Sequence, residues 1–196
     1  IYPSKKLDYR PEVFNVMFAG NIGEAQDLPS ILKAVSFLRE NKNIRWIIVG
    51  NGNKYNWLME RIKKLNLDNC IKVLGSYPIK EMPSLYAHAD ALLVSLKDEY
   101  VFNLTIPGKI QSYLQFGTPI LGMLNGEGNA LINDNKVGFC VQAGDASGLS
   151  KNIIKMSKMR KSDLDQLGKN GVALAKKEFD RARLMDRLEN IFYDKN

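Results

Sequence analysis

Six short, mostly apolar runs recur along this chain, and helix-patterned segments separate them. The runs cover residues 13–19, 45–49, 70–74, 91–96, 120–124 and 137–141. Several are continuously apolar rather than alternating, the pattern of strands covered on both faces. Between them apolar residues return at helical spacing, as in Ile31, Leu32, Val35 and Leu38 after Pro29, or Ile110, Tyr113, Leu114 and Phe116 after Lys109. Further helices are expected at about 55–65, 78–88 and 126–134, and beyond the last strand at about 145–159, 162–177 and 180–193. The last three each open on a capping residue, Asp145, Ser162 or Asp180. Strand–helix alternation of this kind predicts an α/β fold: a doubly wound, mostly parallel six-stranded sheet, Rossmann-like, with helices on both faces. In such sheets ligands bind at the carboxyl ends of the strands, near the switch point. Three loops are expected to converge there, 20–27, 75–78 and 97–109.

The last of these loops carries the strongest local signal. An irregular stretch after the fourth run leads into Thr105-Ile106-Pro107-Gly108-Lys109, and a helix follows that ends at Gly117. A helix opening on Pro, Gly and Lys presents unpaired N–H groups, the positive end of its dipole and a lysine to an anion. It reads either as the phosphate end of a nucleotide cleft or as an ordinary crossover with a solvated lysine.

Charge narrows the partners. The 196 residues carry 28 Lys and Arg against 21 Asp and Glu, a net charge of +7, which favours acidic partners. The basic residues are spread along helices, and no aromatic-interleaved basic stripe occurs, so nucleic acid is not expected. No apolar run reaches the roughly eighteen residues of a spanning helix. A single histidine and the absence of ligand spacing leave no metal site to predict. Cys70 and Cys140 lie in strand-like runs and read as buried free thiols. Residues 1–12 look like a linker remnant, with one domain over 13–196, so a piece of a longer protein is expected.

Each remaining candidate has a plain alternative. Gly20-Asn21-Ile22-Gly23 after the first run lets backbone approach a ligand, or is a simple turn. Gly50-Asn51-Gly52 reads better as a turn. Asp98 and Glu99 suit sugar hydroxyls or a solvated loop. Glu127, between two glycines, faces the same cleft or simply favours a helix start. His88 reads as helix-terminal, Trp46 and Trp57 as packing, and Tyr77 as a minor candidate for a base pocket.

In order, the chain reads F-A-G-N-I-G, I-I-V-G-N-G, I-K-V-L-G-S-Y-P, M-P-S-L-Y-A-H-A-D-A-L-L-V-S, I-P-G-K-I-Q-S-Y-L-Q-F-G-T-P-I-L and V-G-F-C-V-Q-A-G-D-A-S-G-L. This succession, from about residue 13 to 192, resembles the C-terminal, donor-nucleotide domain of GT-B glycosyltransferases of the glycosyl transferases group 1 family. It is most similar to the bacterial members that build surface polysaccharides. The resemblance implies two Rossmann-like domains, with the acceptor-binding one absent from this chain. It implies sugar transfer with retention from a nucleotide-diphosphate sugar, here a UDP-sugar, without a metal or other cofactor. The acceptor would be a glycan or a lipid-linked glycan, and the setting cytoplasmic, with peripheral contact at the inner face of the bacterial membrane.

Carried over by position, Gly20, Asn21 and Gly23 fall on the loop that reaches the diphosphate. Val73 and Leu74 fall beside the base, and Thr105, Pro107, Gly108 and Lys109 under the phosphates and ribose. The chain also departs from the family. An arginine and a lysine common in the first loop are replaced by Asn21 and Gln26, and two glutamates with seven residues between them by Leu104 and Ser112. Either Lys109 with Glu99 or Glu127 takes over these roles as a subfamily variation, with Lys109 and Glu99 as the catalytic pair and Ser112 and Glu127 among the donor contacts, or the chain binds its donor weakly. Two rival readings stand beside it: half of a UDP-sugar epimerase on the same architecture, and a binding module without catalysis.

Overall fold

A computed structural model describes residues 10–193. The expected linker remnant, 1–12, lies mostly outside the described residues. In chain order the elements are β1 (Phe14–Ala19), α1 (Leu28–Leu38), β2 (Ile44–Val49), α2 (Tyr55–Lys64), β3 (Ile71–Gly75), α3 (Met82–Tyr86) and β4 (Ala91–Ser95). They continue with α4 (Tyr100–Asn103), α5 (Gly108–Phe116), β5 (Ile120–Met123), α6 (Gly126–Asp134), β6 (Gly138–Val141), α7 (Ala146–Ser157), α8 (Lys161–Glu178) and α9 (Arg181–Tyr193). Short 3-10 turns occupy Glu24–Gln26 and Ile79–Glu81.

The six strands form one parallel sheet in the order β3-β2-β1-β4-β5-β6. The doubly wound α/β architecture expected from the apolar runs is the one found. Successive residues of a strand point to opposite faces, and both faces are covered. Val16 and Phe18 join one apolar core with α1 and α7, while Met17 and Ala19 join another with α5 and α8. The chain reverses its winding between β1 and β4. There the ladders end unevenly: β1 pairs with β2 up to Ala19–Val49, but with β4 only up to Phe18–Leu93. The two central strands therefore diverge a residue early, opening a crevice at the switch point.

Some local expectations are corrected. The 97–109 loop is not irregular throughout, since α4 forms within it. Asp145 caps α7, accepting the Gly148 N–H at 2.8 Å, and Asp180 accepts the Arg183 N–H at 3.1 Å. Ser162 caps nothing: α8 starts one residue earlier, after an extended Arg160 whose guanidinium grips Asp163 in the first turn at 3.0 and 3.1 Å. Cys70 and Cys140 are free thiols but half-buried, because β3 and β6 are the sheet's edges. Burial of its thiol pushes Cys140 up to about 12. Trp46 is buried and Trp57 half-buried, with Arg61 over its ring at 5.8 Å. His88 stands at the end of α3 with Nδ1 2.7 Å from the Ser84 carbonyl, as expected of a helix-terminal residue.

Candidate functional site

The loops leaving β1 and β2 run side by side at the carboxyl edge. The Gly20 N–H donates to the Val49 carbonyl at 2.9 Å, and the Ile22 N–H to the Asn51 carbonyl at 2.8 Å. Such close approach requires Gly50, whose φ is +142° and whose hypothetical Cβ would overlap the carbonyl oxygen of Gly20. Gly50-Asn51-Gly52 is thus the surface against which the first loop is laid, more than a turn. The same loop is fastened to β4. Ser95 donates its hydroxyl to the Gln26 carbonyl, the Lys97 N–H donates to the Ala25 carbonyl at 2.9 Å, and Glu24 lies between Lys54 (2.6 Å) and Lys97. The two ammonium groups hold the Glu24 carboxyl at about 2.

This scaffold frames a cleft of about 420 Å³ between the β1 and β2 loops, the start of α5 and the β3–α3 connection. Of the residues proposed from sequence, it brings together Gly20, Asn21, Lys109 and Ser112, with Tyr77, the minor base-pocket candidate, also on its wall. Lys109, the second residue of α5, is the unusual member. Its amine is buried 4.0 Å above the Phe18 ring centroid, and lies 3.2 Å from where a Cβ of Gly20 would stand. It has no hydrogen-bond partner among the described residues. Desolvation alone lowers its pKa to about 8. The first N–H groups of α5 also lack a side-chain cap, since Pro107 precedes them. A buried cation without a partner at an uncapped helix start is an arrangement that an anion completes.

Other predicted residues stand outside this cleft. The Gly23 N–H already donates to Oε1 of Gln26 at 3.0 Å, and Gly23 lines a separate hollow beside Trp57. Val73 and Leu74 are half-buried against the two cores, because alternate β3 side chains turn into the layers. The cleft instead takes the residues just past the strand, Ser76, Tyr77, Ile79, Met82 and Tyr86. Thr105 is exposed and donates its hydroxyl to the Phe102 carbonyl at 3.3 Å. Pro107 packs toward Gly128, and Gly108 faces open space. Glu99 and Glu127 are exposed, at the starts of α4 and α6.

Sequence reasoning also missed participants. Gln26 was visible only as a departure from a family pattern, yet its side chain orders the first loop. Tyr113 reads from sequence as one more apolar helix position, but its hydroxyl reaches both peptide groups of Ala19. A buried tyrosine generally needs a polar partner, which was the available signal.

A wider concavity of about 730 Å³ lies at the opposite, amino end of β2 and β3, lined by Arg39, Lys42, Arg45 and Lys72 among others. Arg39 is the C-terminal cap of α1, so this end offers anions the negative ends of helices, unlike the Lys109 cleft. Among the described residues, no group of three or more His, Cys, Asp or Glu could hold a metal ion. No described helix is long and apolar enough to cross a membrane.

The family model described as "Glycosyl transferases group 1" matches residues 13–159. A probable glycosyltransferase of Pseudomonas aeruginosa, WbjE, is 28% identical over 156 residues, which is 77% of this chain and 37% of WbjE. The crystal structure of Anabaena HepE in complex with UDP and glucose superposes with a TM-score of 0.78 at 18% identity, over 93% of this chain and 49% of HepE. A glycosyltransferase from Rickettsia africae gives a TM-score of 0.79 at 17% identity, over 95% of this chain and 49% of its own. This chain thus spans from about a third to half the length of these relatives.

Proposed function

Because the chain belongs to the glycosyl transferases group 1 family, we propose that it is the donor-binding half of a retaining transferase, and that the Lys109 cleft receives the diphosphate of a UDP-sugar. The observation that carries this reading is the buried, unpartnered Lys109 amine beside the uncapped start of α5. Transfer breaks the bond between the anomeric carbon and the phosphate oxygen, and negative charge grows on the departing diphosphate. A fixed ammonium and fixed N–H dipoles in a desolvated cleft stabilise that charge without reorganising. No metal is required for that role. Asn21 and Ser112 line the same cleft and supply polar contacts, while Tyr77, Met82 and Tyr86 offer ring and thioether surface to the base. The donor sugar falls to the exposed carboxylates Glu99 and Glu127, which stand at the starts of α4 and α6, beyond the carboxyl ends of β4 and β5.

HepE, whose structure holds UDP and glucose, supports the choice of a uridine nucleotide. WbjE, a probable glycosyltransferase, supports transfer as the activity of the whole protein. The acceptor, a glycan or lipid-linked glycan of bacterial surface-polysaccharide synthesis, would be met by residues beyond this chain. The +7 charge suits a cytoplasmic protein that touches an anionic membrane face. The chain alone is then expected to bind the nucleotide without turnover.

Calorimetric titration of the chain with UDP, GDP and ADP, without metal and then with Mg²⁺, tests this. Saturable UDP binding that needs no metal supports the reading. Absence of binding to all three nucleotides refutes it for this chain.

A further inference from the structure

We infer that Tyr113 is the positioning residue of this site: its hydroxyl, wedged where β1 and β4 diverge, holds Gly20 and Lys109 in the geometry that receives the diphosphate. The inference rests on the reading of the Lys109 cleft as a diphosphate site.

The β1–β4 ladder stops at Phe18–Leu93, one rung before the β1–β2 ladder. The Tyr113 hydroxyl occupies the place of the missing rung. It accepts the Ala19 N–H at 3.3 Å, donates toward the Ala19 carbonyl at 3.1 Å, and stands 3.4 Å from the Leu93 carbonyl. Tyr113 is fully buried. A buried peptide group needs a partner, so the hydroxyl satisfies Ala19 while keeping β4 at a distance. Gly20, the next residue, then turns out of the sheet into the cleft.

Lys109 lies one helical turn before Tyr113, so the two side chains share a face of α5. One side chain fixes the end of β1, and the other sets its ammonium against Gly20 and Phe18. The wedge is itself braced. The Tyr86 and Tyr113 rings meet edge to face, with centroids 5.5 Å apart and planes at 84°. On the far side α5 presses on α8, where Gly117 and Gly168 approach too closely for a Cβ on Gly168. The helix therefore cannot slide to compensate for a lost hydroxyl. Without that oxygen, Ala19 and Leu93 either close the missing rung or admit water. Both outcomes move Gly20 relative to the Lys109 amine.

The test compares the intact chain with Tyr113→Phe, which keeps the ring and its packing on Tyr86. UDP affinity is measured by calorimetry from pH 6.5 to 9.5. The other titratable groups on the cleft are Tyr77 and Tyr86. Removing the hydroxyl is expected to weaken UDP binding about tenfold, the order of what it costs to order a loop end and one long side chain on binding once they are no longer held in place. It should also displace the alkaline fall of binding from about pH 8, because the desolvation of the Lys109 amine depends on where Gly20 stands. Ile153→Val on α7 serves as the control for stability alone, since Ile153 is buried in the other core. It should lower the melting temperature and leave both readings unchanged. If the intact chain binds UDP and Tyr113→Phe binds it equally well with the same pH profile, the inference about Tyr113 is overturned and the diphosphate reading stands. If the intact chain does not bind UDP, the diphosphate reading fails and this inference falls with it.

Discussion

Replacing Lys109 by Met separates what this residue does for the fold from what it does for the ligand. Met keeps the length and apolar stem of the side chain but removes the ammonium. Burial lowers the Lys109 pKa from 10.5 to about 8, and that shift corresponds to the cost of carrying the charge in the fold. At 1.36 kcal/mol for each pH unit this is about 3 kcal/mol at neutral pH. Against it stands the attraction of the Phe18 ring at 4.0 Å, roughly 1 kcal/mol. Lys109→Met should therefore stabilise the chain by about 2 kcal/mol, which raises the melting temperature of a domain this size by roughly 5 °C. The same change removes a charge-assisted contact to phosphate, worth about 1.5–3 kcal/mol, so UDP binding should weaken about 10- to 100-fold. Differential scanning calorimetry and a UDP titration on one preparation read both effects. A variant that melts lower and binds UDP as tightly as the parent would mark Lys109 as a packing residue and refute the argument.

Stability and binding should respond to pH in opposite directions. Because Lys109 titrates near 8 folded and near 10.5 unfolded, the unfolded chain binds more protons between those values, and stability should rise with pH across that window. UDP affinity should fall over the same range as the ammonium is lost; urea melts and titrations at pH 7, 8, 9 and 10 check the two opposed trends. Gly50→Ala forces a Cβ onto the Gly20 carbonyl at a φ of +142°, and should cost about 3 kcal/mol or more, a fall in melting temperature of roughly 10 °C by scanning calorimetry.

The strands, most of the helices and the class of fold were legible in the amino-acid sequence. Burial of both sheet faces makes the central strands nearly unbroken apolar runs, and that signal is local enough to place β4 and β5 within a residue or so. Helix ends were legible where a side chain makes the cap, as at Asp145, and misplaced where it does not, as at Ser162. The loop into α5 was legible as an anion-ready helix start because Pro, Gly and Lys act through their own backbone and charge. The order of strands emerged only in three dimensions, and the site depends on it. Adjacency of β1 and β4 puts Phe18, Gly20, Lys109 and Tyr113 together across some ninety residues of chain. Whether a lysine is solvated or stripped of water depends on what the fold stacks around it. Periodicity along the chain carries no record of that, so the sequence left Lys109 as either a surface cation or a ligand group. Exposed Glu99 and Glu127 and edge-placed Cys70 and Cys140 differ from their neighbours for the same reason: exposure is set by position in the finished sheet, which a residue's own type does not encode.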